Sequence, residues 1–110
     1  MGNASPMAER VRAHFRGLGM QSMPVPEWGG ATVWWKPITL AERGAAIETG
    51  GKRPLAFYAA LVCAKALDEG GTRLFNDHDR HTLLNEAASE VVMRVGEAMC
   101  AVSESKPLGE

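Results

Sequence analysis

The sequence has little of what marks secreted or membrane-spanning proteins. It contains two cysteines, Cys63 and Cys100, and both lie in apolar stretches where thiols pack as small hydrophobic groups. Two separated cysteines do not make the disulfide framework of a small secreted domain, so we expect a reducing cytoplasm. The longest apolar run, residues 55–64, is shorter than the roughly 20 residues of a membrane-spanning helix. The charged N-terminal segment also lacks the apolar core of a signal peptide.

Neither sign of charge dominates the chain. The 12 basic and 13 acidic side chains give a formal net charge of −1. The chain has no excess of basic residues and no long Lys/Arg run, so it lacks the positive electrostatic potential that attracts nucleic acid or an anionic membrane. We therefore expect neither as a partner. The length of 110 residues fits one domain with a modest core. We therefore predict a single domain over residues 1–103 and a loose C-terminal tail over residues 104–110.

Helix-start signals predict two helices in the first half of the chain. Ser5 is a favourable N-cap residue, and the proline after it suits the first helical position. An apolar stripe at helical spacing follows, formed by Met7, Val11 and Phe15. We predict a helix over residues 6–16. Thr39 and Glu42 match a capping box, which predicts a second helix over residues 40–48.

The second half of the chain is predicted to contain three more helices. Residues 55–67 are apolar on nearly every side, which is typical of a buried central helix. Asn76 and Asp77 form another cap signal, so we predict a short helix over residues 77–85. The last helix is predicted over residues 86–102 and contains Gly96. A glycine inside a helix costs about 1 kcal/mol of stability relative to alanine, so Gly96 predicts a close contact with another helix. Its apolar stripe is formed by Ala88, Val91, Val92, Val95, Met99 and Val102.

Residues 21–38 predict a β-hairpin. Two extended runs flank Gly29-Gly30, a dipeptide suited to a two-residue turn. That register places one mostly apolar face on the core, formed by Pro24, Pro26, Trp28, Ala31, Val33 and Trp35. The opposite face combines an aromatic residue with charge, a combination common at binding hot spots. Its candidate partner-binding residues are Met23, Val25, Trp34 and Lys36. The chain as a whole predicts a mainly helical α+β fold: an N-terminal helix, a β-hairpin and a compact bundle of about four helices.

No motif in the sequence predicts catalysis. There is no nucleophile elbow and no phosphate-binding glycine loop, so we expect no enzyme, no catalytic residue and no cofactor. His78 and His81 share a helix face and could contact a metal ion. A zinc site needs three or four ligands, and the other candidates are scattered, so we expect no metal site. A small metal-binding regulator that uses the two histidines stays open as an alternative.

The order of motifs resembles the tail assembly chaperone family of long-tailed, non-contractile phages and prophages. The first half of the resemblance lies in residues 25–30 (Val-Pro-Glu-Trp-Gly-Gly), 32–36 (Thr-Val-Trp-Trp-Lys) and 39–43 (Thr-Leu-Ala-Glu-Arg). The second half follows the apolar helix, with Asp68-Glu69-Gly70, Leu74-Phe75, Asp77, Asp79, Val91-Val92 and Arg94. The resemblance covers roughly residues 7–103.

The resemblance implies a non-catalytic role in virion morphogenesis. Proteins of this family bind the tape measure protein in the cytoplasm of the bacterial host and help bring tail tube protein to it. The expected partners are therefore these two proteins, bound through an apolar groove or by strand addition. Another phage structural or connector protein, retained in the virion, is the remaining alternative.

Overall fold

The structure, a computed structural model, describes residues 5–101. Within this range it has five α-helices and one two-stranded antiparallel sheet, which confirms the predicted mainly helical α+β fold. The elements are α1 (Pro6–Gly17), β1 (Gln21–Val25), β2 (Ala31–Trp35), α2 (Leu40–Gly50), α3 (Ala56–Lys65), α4 (Asp79–Asn85) and α5 (Ser89–Ala101). The predicted tail and Val102 lie outside the described residues.

Side-chain caps begin α1 and α2, as the sequence predicts. The hydroxyl of Ser5 accepts a hydrogen bond from the backbone N–H of Ala8 at 3.1 Å. Thr39 and Glu42 form both bonds of a capping box, at 3.0 and 3.1 Å. In the turn before α4 the Asn76 side chain accepts two backbone N–H groups, at 2.9 and 3.2 Å, but the N-cap residue of α4 is His78, whose side chain makes no capping bond. Each cap satisfies backbone donors that the first helical turn leaves without partners.

Helix α3 is the centre of the core. Most of its residues are buried, and it packs against α2, α4 and α5. Helix α5 meets it with the predicted stripe, of which Val91, Val92, Val95 and Met99 are buried. Gly96 is also buried, and a Cβ atom added there would lie 2.5 Å from Cδ1 of Tyr58 on α3. The predicted close contact at Gly96 is therefore present.

The predicted two-residue turn of the hairpin is wrong. Strand β1 pairs with β2 in the register Val25↔Ala31, Met23↔Val33 and Gln21↔Trp35. Residues 26–30 form the loop, which opens with a 3₁₀ turn over Pro26–Trp28. Both following glycines have positive φ angles, 71° and 78°, a conformation that glycine adopts without steric cost.

The longer loop exchanges the faces of β1. Val33 and Trp35 are buried as predicted, but their cross-strand neighbours are Met23 and Gln21 instead of the two prolines. Pro24 and Pro26 are exposed, and Ala31 is also exposed. The loop is held by contacts that local sequence does not reveal. Trp28 packs edge-on against Phe75, with ring centroids 5.9 Å apart, and Glu27 pairs with Arg94 on α5.

Strand β2 also has a backbone partner on its other side. Trp34 and Leu67 exchange both backbone hydrogen bonds, at 2.8 and 2.9 Å, and Leu67 in turn bridges to Arg73. The segment after α3 therefore continues the sheet as an isolated bridge. This bridge fixes the hairpin to the helical part of the chain.

Candidate protein-binding surface

Two grooves flank the C-terminal end of α1, where the chain passes from the helix to the hairpin. The larger has a volume of about 540 Å³. Its apolar lining comes from Phe15, Leu18, Met20, Pro37, Ala64 and Leu67. The smaller has a volume of about 280 Å³, and the core residues Trp35 and Met99 are part of its lining. Because Phe15, Leu18 and Pro37 line both, these residues form an apolar ridge between two depressions.

The rim of the larger groove is basic. Lys65 pairs with Glu42 at 2.7 Å, so this lysine is neutralised by its partner. The hydrogen bond from Lys65 is the main cause of a lowered pKa at Glu42, and the backbone N–H of Thr39 adds to it. Arg16 and Lys36 also line the groove, and neither forms an ion pair within residues 5–101. An apolar floor with an uncompensated basic rim suits an apolar helix that carries acidic residues along its sides.

The structure does not bring the four predicted partner-binding residues together. Met23 and Val25 lie on the side of the hairpin that faces the core, and Val25 is completely buried. Trp34 and Lys36 lie on the opposite side by strand alternation. Trp34 is half-buried, while Lys36 is exposed at the rim of the larger groove. Of the four residues, Lys36 alone is part of the groove lining.

The residues that sequence reasoning missed lie in two connecting segments. Leu18 and Met20 join α1 to β1, and Pro37 and Ile38 join β2 to α2. All four are half-buried apolar residues outside helices and strands. An apolar residue in a short connection is a signal of packing against another part of the chain, although it does not identify that part.

The free edge of β1 is poorly suited to strand addition. Because Trp34 turns its backbone groups toward Leu67, Val33 and Trp35 turn theirs toward β1. Ser22 and Pro24 therefore direct their backbone groups outward from β1. Proline has no N–H, so the outer edge lacks one of the donors that an added strand needs. The structure thus favours the grooves over the sheet edge as a binding surface.

His78 and His81 do not lie in a ligand cluster. Within residues 5–101, no group of three histidine, cysteine, aspartate or glutamate residues is arranged to hold a metal ion. His81 contacts the Asn85 amide through Nδ1 at 3.1 Å. The neighbouring carboxylates make other contacts: Asp77 pairs with Arg73 at 3.1 Å, and Asp79 accepts the backbone N–H of Asn76 at 2.9 Å.

Cys63 is buried at the end of α3, and its thiol donates to the backbone carbonyl of Asn76 at 3.2 Å. Burial raises the pKa of this thiol, which keeps it protonated and poorly nucleophilic. It therefore behaves as a core residue. In the described range, no helix combines the length and apolar character needed to cross a membrane.

The fold is similar to that of one solved protein. A solved structure described as the bacteriophage HK97 tail assembly chaperone matches with a TM-score of 0.59, covering 91% of this chain and all of that one. The two sequences are 14% identical, so this likeness is one of fold. No protein-family model matches the sequence, and no curated protein matches it either.

Proposed function

We propose that this chain is a phage tail assembly chaperone that binds the tape measure protein in the host cytoplasm and helps recruit tail tube protein. The fold match to the HK97 chaperone, which spans nearly the whole chain, is the observation that carries this proposal. The segment order noted in the sequence supports it independently. The role needs protein contacts alone, without catalysis, cofactor or metal.

The larger groove is the proposed binding site for the tape measure protein. A tape measure protein is a long, apolar, helix-forming chain, and a chaperone keeps it soluble by covering its apolar face. The ridge of Phe15, Leu18 and Pro37 supplies apolar contact, and Arg16 and Lys36 supply positive charge at the rim. Trp34, on the same side of the hairpin as Lys36, is proposed to extend this contact. Met23 and Val25 serve it indirectly, because they fix the hairpin to the core.

Co-expression with a phage tape measure protein tests the proposal. The soluble fraction of the tape measure protein and its copurification with this chain are measured. The wild-type chain should raise both, and Trp34→Ala and Lys36→Glu should each reduce them. Lys52→Glu is the matched control, because Lys52 is exposed but does not line either groove. A wild-type chain that leaves the tape measure protein insoluble and unbound would refute the proposal.

The protein content of purified virions distinguishes a chaperone from the alternative, a structural or connector protein that is retained in the virion. A chaperone should be absent from finished particles, whereas a connector protein stays in them. Quantitative mass spectrometry of purified virions is the measurement. Detection of this chain in a fixed ratio to the tail tube protein would show that it is a component of the particle.

A further inference from the structure

A third groove, which we call the arginine groove, lies where the first turn of α3 meets α4 and α5. It consists of two adjoining depressions of about 170 and 190 Å³ that share Arg53 and Leu84. Leu55 is 59% exposed at its edge, and Met93 is half-buried in its wall. Its floor is formed by four buried residues: Ala56, Ala59, Leu83 and Val92. The groove therefore reaches from the surface to the core.

The charged side chains that line the arginine groove all have one sign. Arg53 and Arg80 line the second depression together with Thr49. Neither arginine forms an ion pair within residues 5–101, and no carboxylate lines either depression. A guanidinium group binds a carboxylate through two parallel N–H bonds. The groove thus suits an apolar segment that carries carboxylates, which is the chemistry that the larger groove also suits.

The seam between α2 and α3 joins the larger groove to the arginine groove. A depression of about 170 Å³ follows this seam. It shares the ion pair of Glu42 and Lys65 with the larger groove, and it shares Thr49 with the arginine groove. The exposed side chains along the rest of the seam, Ala45, Thr49 and Ala64, are small. A segment bound in one groove can therefore continue along the seam toward the other.

We propose that one partner segment runs from the larger groove along this seam into the arginine groove, where its carboxylates pair with Arg53 and Arg80. The inference rests on the proposed function, because it takes the tape measure protein as the partner and defines the segment that binds. From Ala64 in the larger groove to Ala56 in the arginine groove, α3 rises by about 12 Å. In a helical partner, the carboxylates for Lys36 and for the two arginines are therefore at least about eight residues apart.

Methionine methyl NMR of the full chain with a synthetic peptide tests the proposal. Met20 lines the larger groove and Met93 lines the arginine groove, so each methyl signal reports on one groove. The probe is an amphipathic helical peptide of about 20 residues, built from leucine and alanine with glutamates near both ends. Both signals should shift with the same Kd, at one peptide per chain. Replacing the glutamates at one end by lysines should raise the Kd by about tenfold or more.

Charge reversal in the arginine groove separates this inference from the proposed function. The double variant Arg53→Glu with Arg80→Glu should weaken peptide binding by about tenfold or more and abolish the shift of Met93, whereas the shift of Met20 should remain. Lys52→Glu is the matched control, because Lys52 is exposed but does not line the arginine groove. Both arginines are exposed, so the double variant should fold, and circular dichroism checks this.

The outcomes distinguish the two proposals. A Met93 signal that does not move while Met20 shifts would overturn this inference and leave the larger groove as the binding site. Binding of two peptides per chain would show that the grooves hold separate segments, which also overturns it. A Met93 shift that follows the concentration of the chain alone would assign the arginine groove to a second copy instead. If neither signal moves with the peptide or with tape measure protein, the proposed binding site fails together with this inference.

Discussion

Replacing Gly96 by alanine should destabilise the fold, although alanine is the better helix former. The gain in helix propensity is about 1 kcal/mol. Against it stands a Cβ atom placed 2.5 Å from Cδ1 of Tyr58 and 3.3 Å from its Cβ atom. Because the Cβ atom of Tyr58 is fixed to the backbone of α3, moving the ring alone relieves the closest contact but not all of the crowding. Overpacking of this kind costs roughly 1–3 kcal/mol, so a net loss of about 1 kcal/mol is expected.

Thermal and urea denaturation at low protein concentration measure this loss. For a domain of this size, about 1 kcal/mol lowers the Tm by roughly 4–8 °C. Gly44→Ala is the control, because its new Cβ atom meets open space and should raise the Tm. In a Tyr58→Ala background most of the cost of Gly96→Ala should disappear, since the ring atom at 2.5 Å is gone and only the 3.3 Å contact with the Cβ atom of residue 58 remains. If Gly96→Ala is as stable as the wild type, Gly96 does not set the distance between α3 and α5.

Three further predictions concern tryptophan burial, an acid in the groove wall and a thiol. Trp35→Ala should lower the free energy of unfolding in urea by about 3–5 kcal/mol, because Trp35 is 4% exposed. Trp34→Ala should lower it by less than about 2 kcal/mol, because Trp34 is half-buried. Equal losses would contradict the observed strand faces. The pKa of Glu42 is lower in the folded chain than in the unfolded chain, so its ionised carboxylate stabilises the fold at any pH above its unfolded pKa. This contribution is lost as the pH falls through the folded pKa of Glu42. Glu42→Gln should therefore cost less than about 1 kcal/mol at neutral pH and nothing in strong acid, and a cost independent of pH would refute the charge effect. In a Cys100→Ser background, Cys63 should react with a disulfide reagent far more slowly in the native chain than in urea. The reason is that the Cys63 thiol is buried and has a raised pKa in the native chain. Equal rates would show that the thiol is accessible.

The helices were predictable because their signals are local. Ser5, Thr39 and Asn76 each satisfy backbone donors within a few residues, so their effect does not depend on distant parts of the chain. The apolar period of α5 likewise predicted its buried face. Helix ends were less accurate: α3 ends at Lys65 instead of residue 67, and α5 begins at Ser89 instead of residue 86. Ends depend on where tertiary contacts compete with the last helical turn.

The hairpin register was not predictable from the same kind of signal. Gly29-Gly30 is compatible with a two-residue turn and with the end of a longer loop. The choice between them depends on Trp28, which packs against Phe75, and on Glu27, which pairs with Arg94. Both contacts join parts of the chain that are distant in sequence. The grooves escaped prediction for the same reason, since their walls come from α1, two connecting segments and α2, together with α3 in the larger groove and α5 in the smaller.

The chain exposes apolar side chains on its helices, whereas the edges of its sheet are poorly suited to pairing with another strand. A protein that keeps an aggregation-prone partner soluble must bind apolar segments without offering a template for strand pairing. Pro24 removes a backbone donor from the outer edge of β1, and the other side of β2 is occupied by Leu67. Helix faces and grooves, by contrast, bind through side chains, and a bound helix keeps its own backbone hydrogen bonds. Replacing Pro24 by valine should therefore leave the core intact, restore the missing donor and increase light scattering on prolonged incubation. Unchanged scattering would show that the proline does not protect this edge.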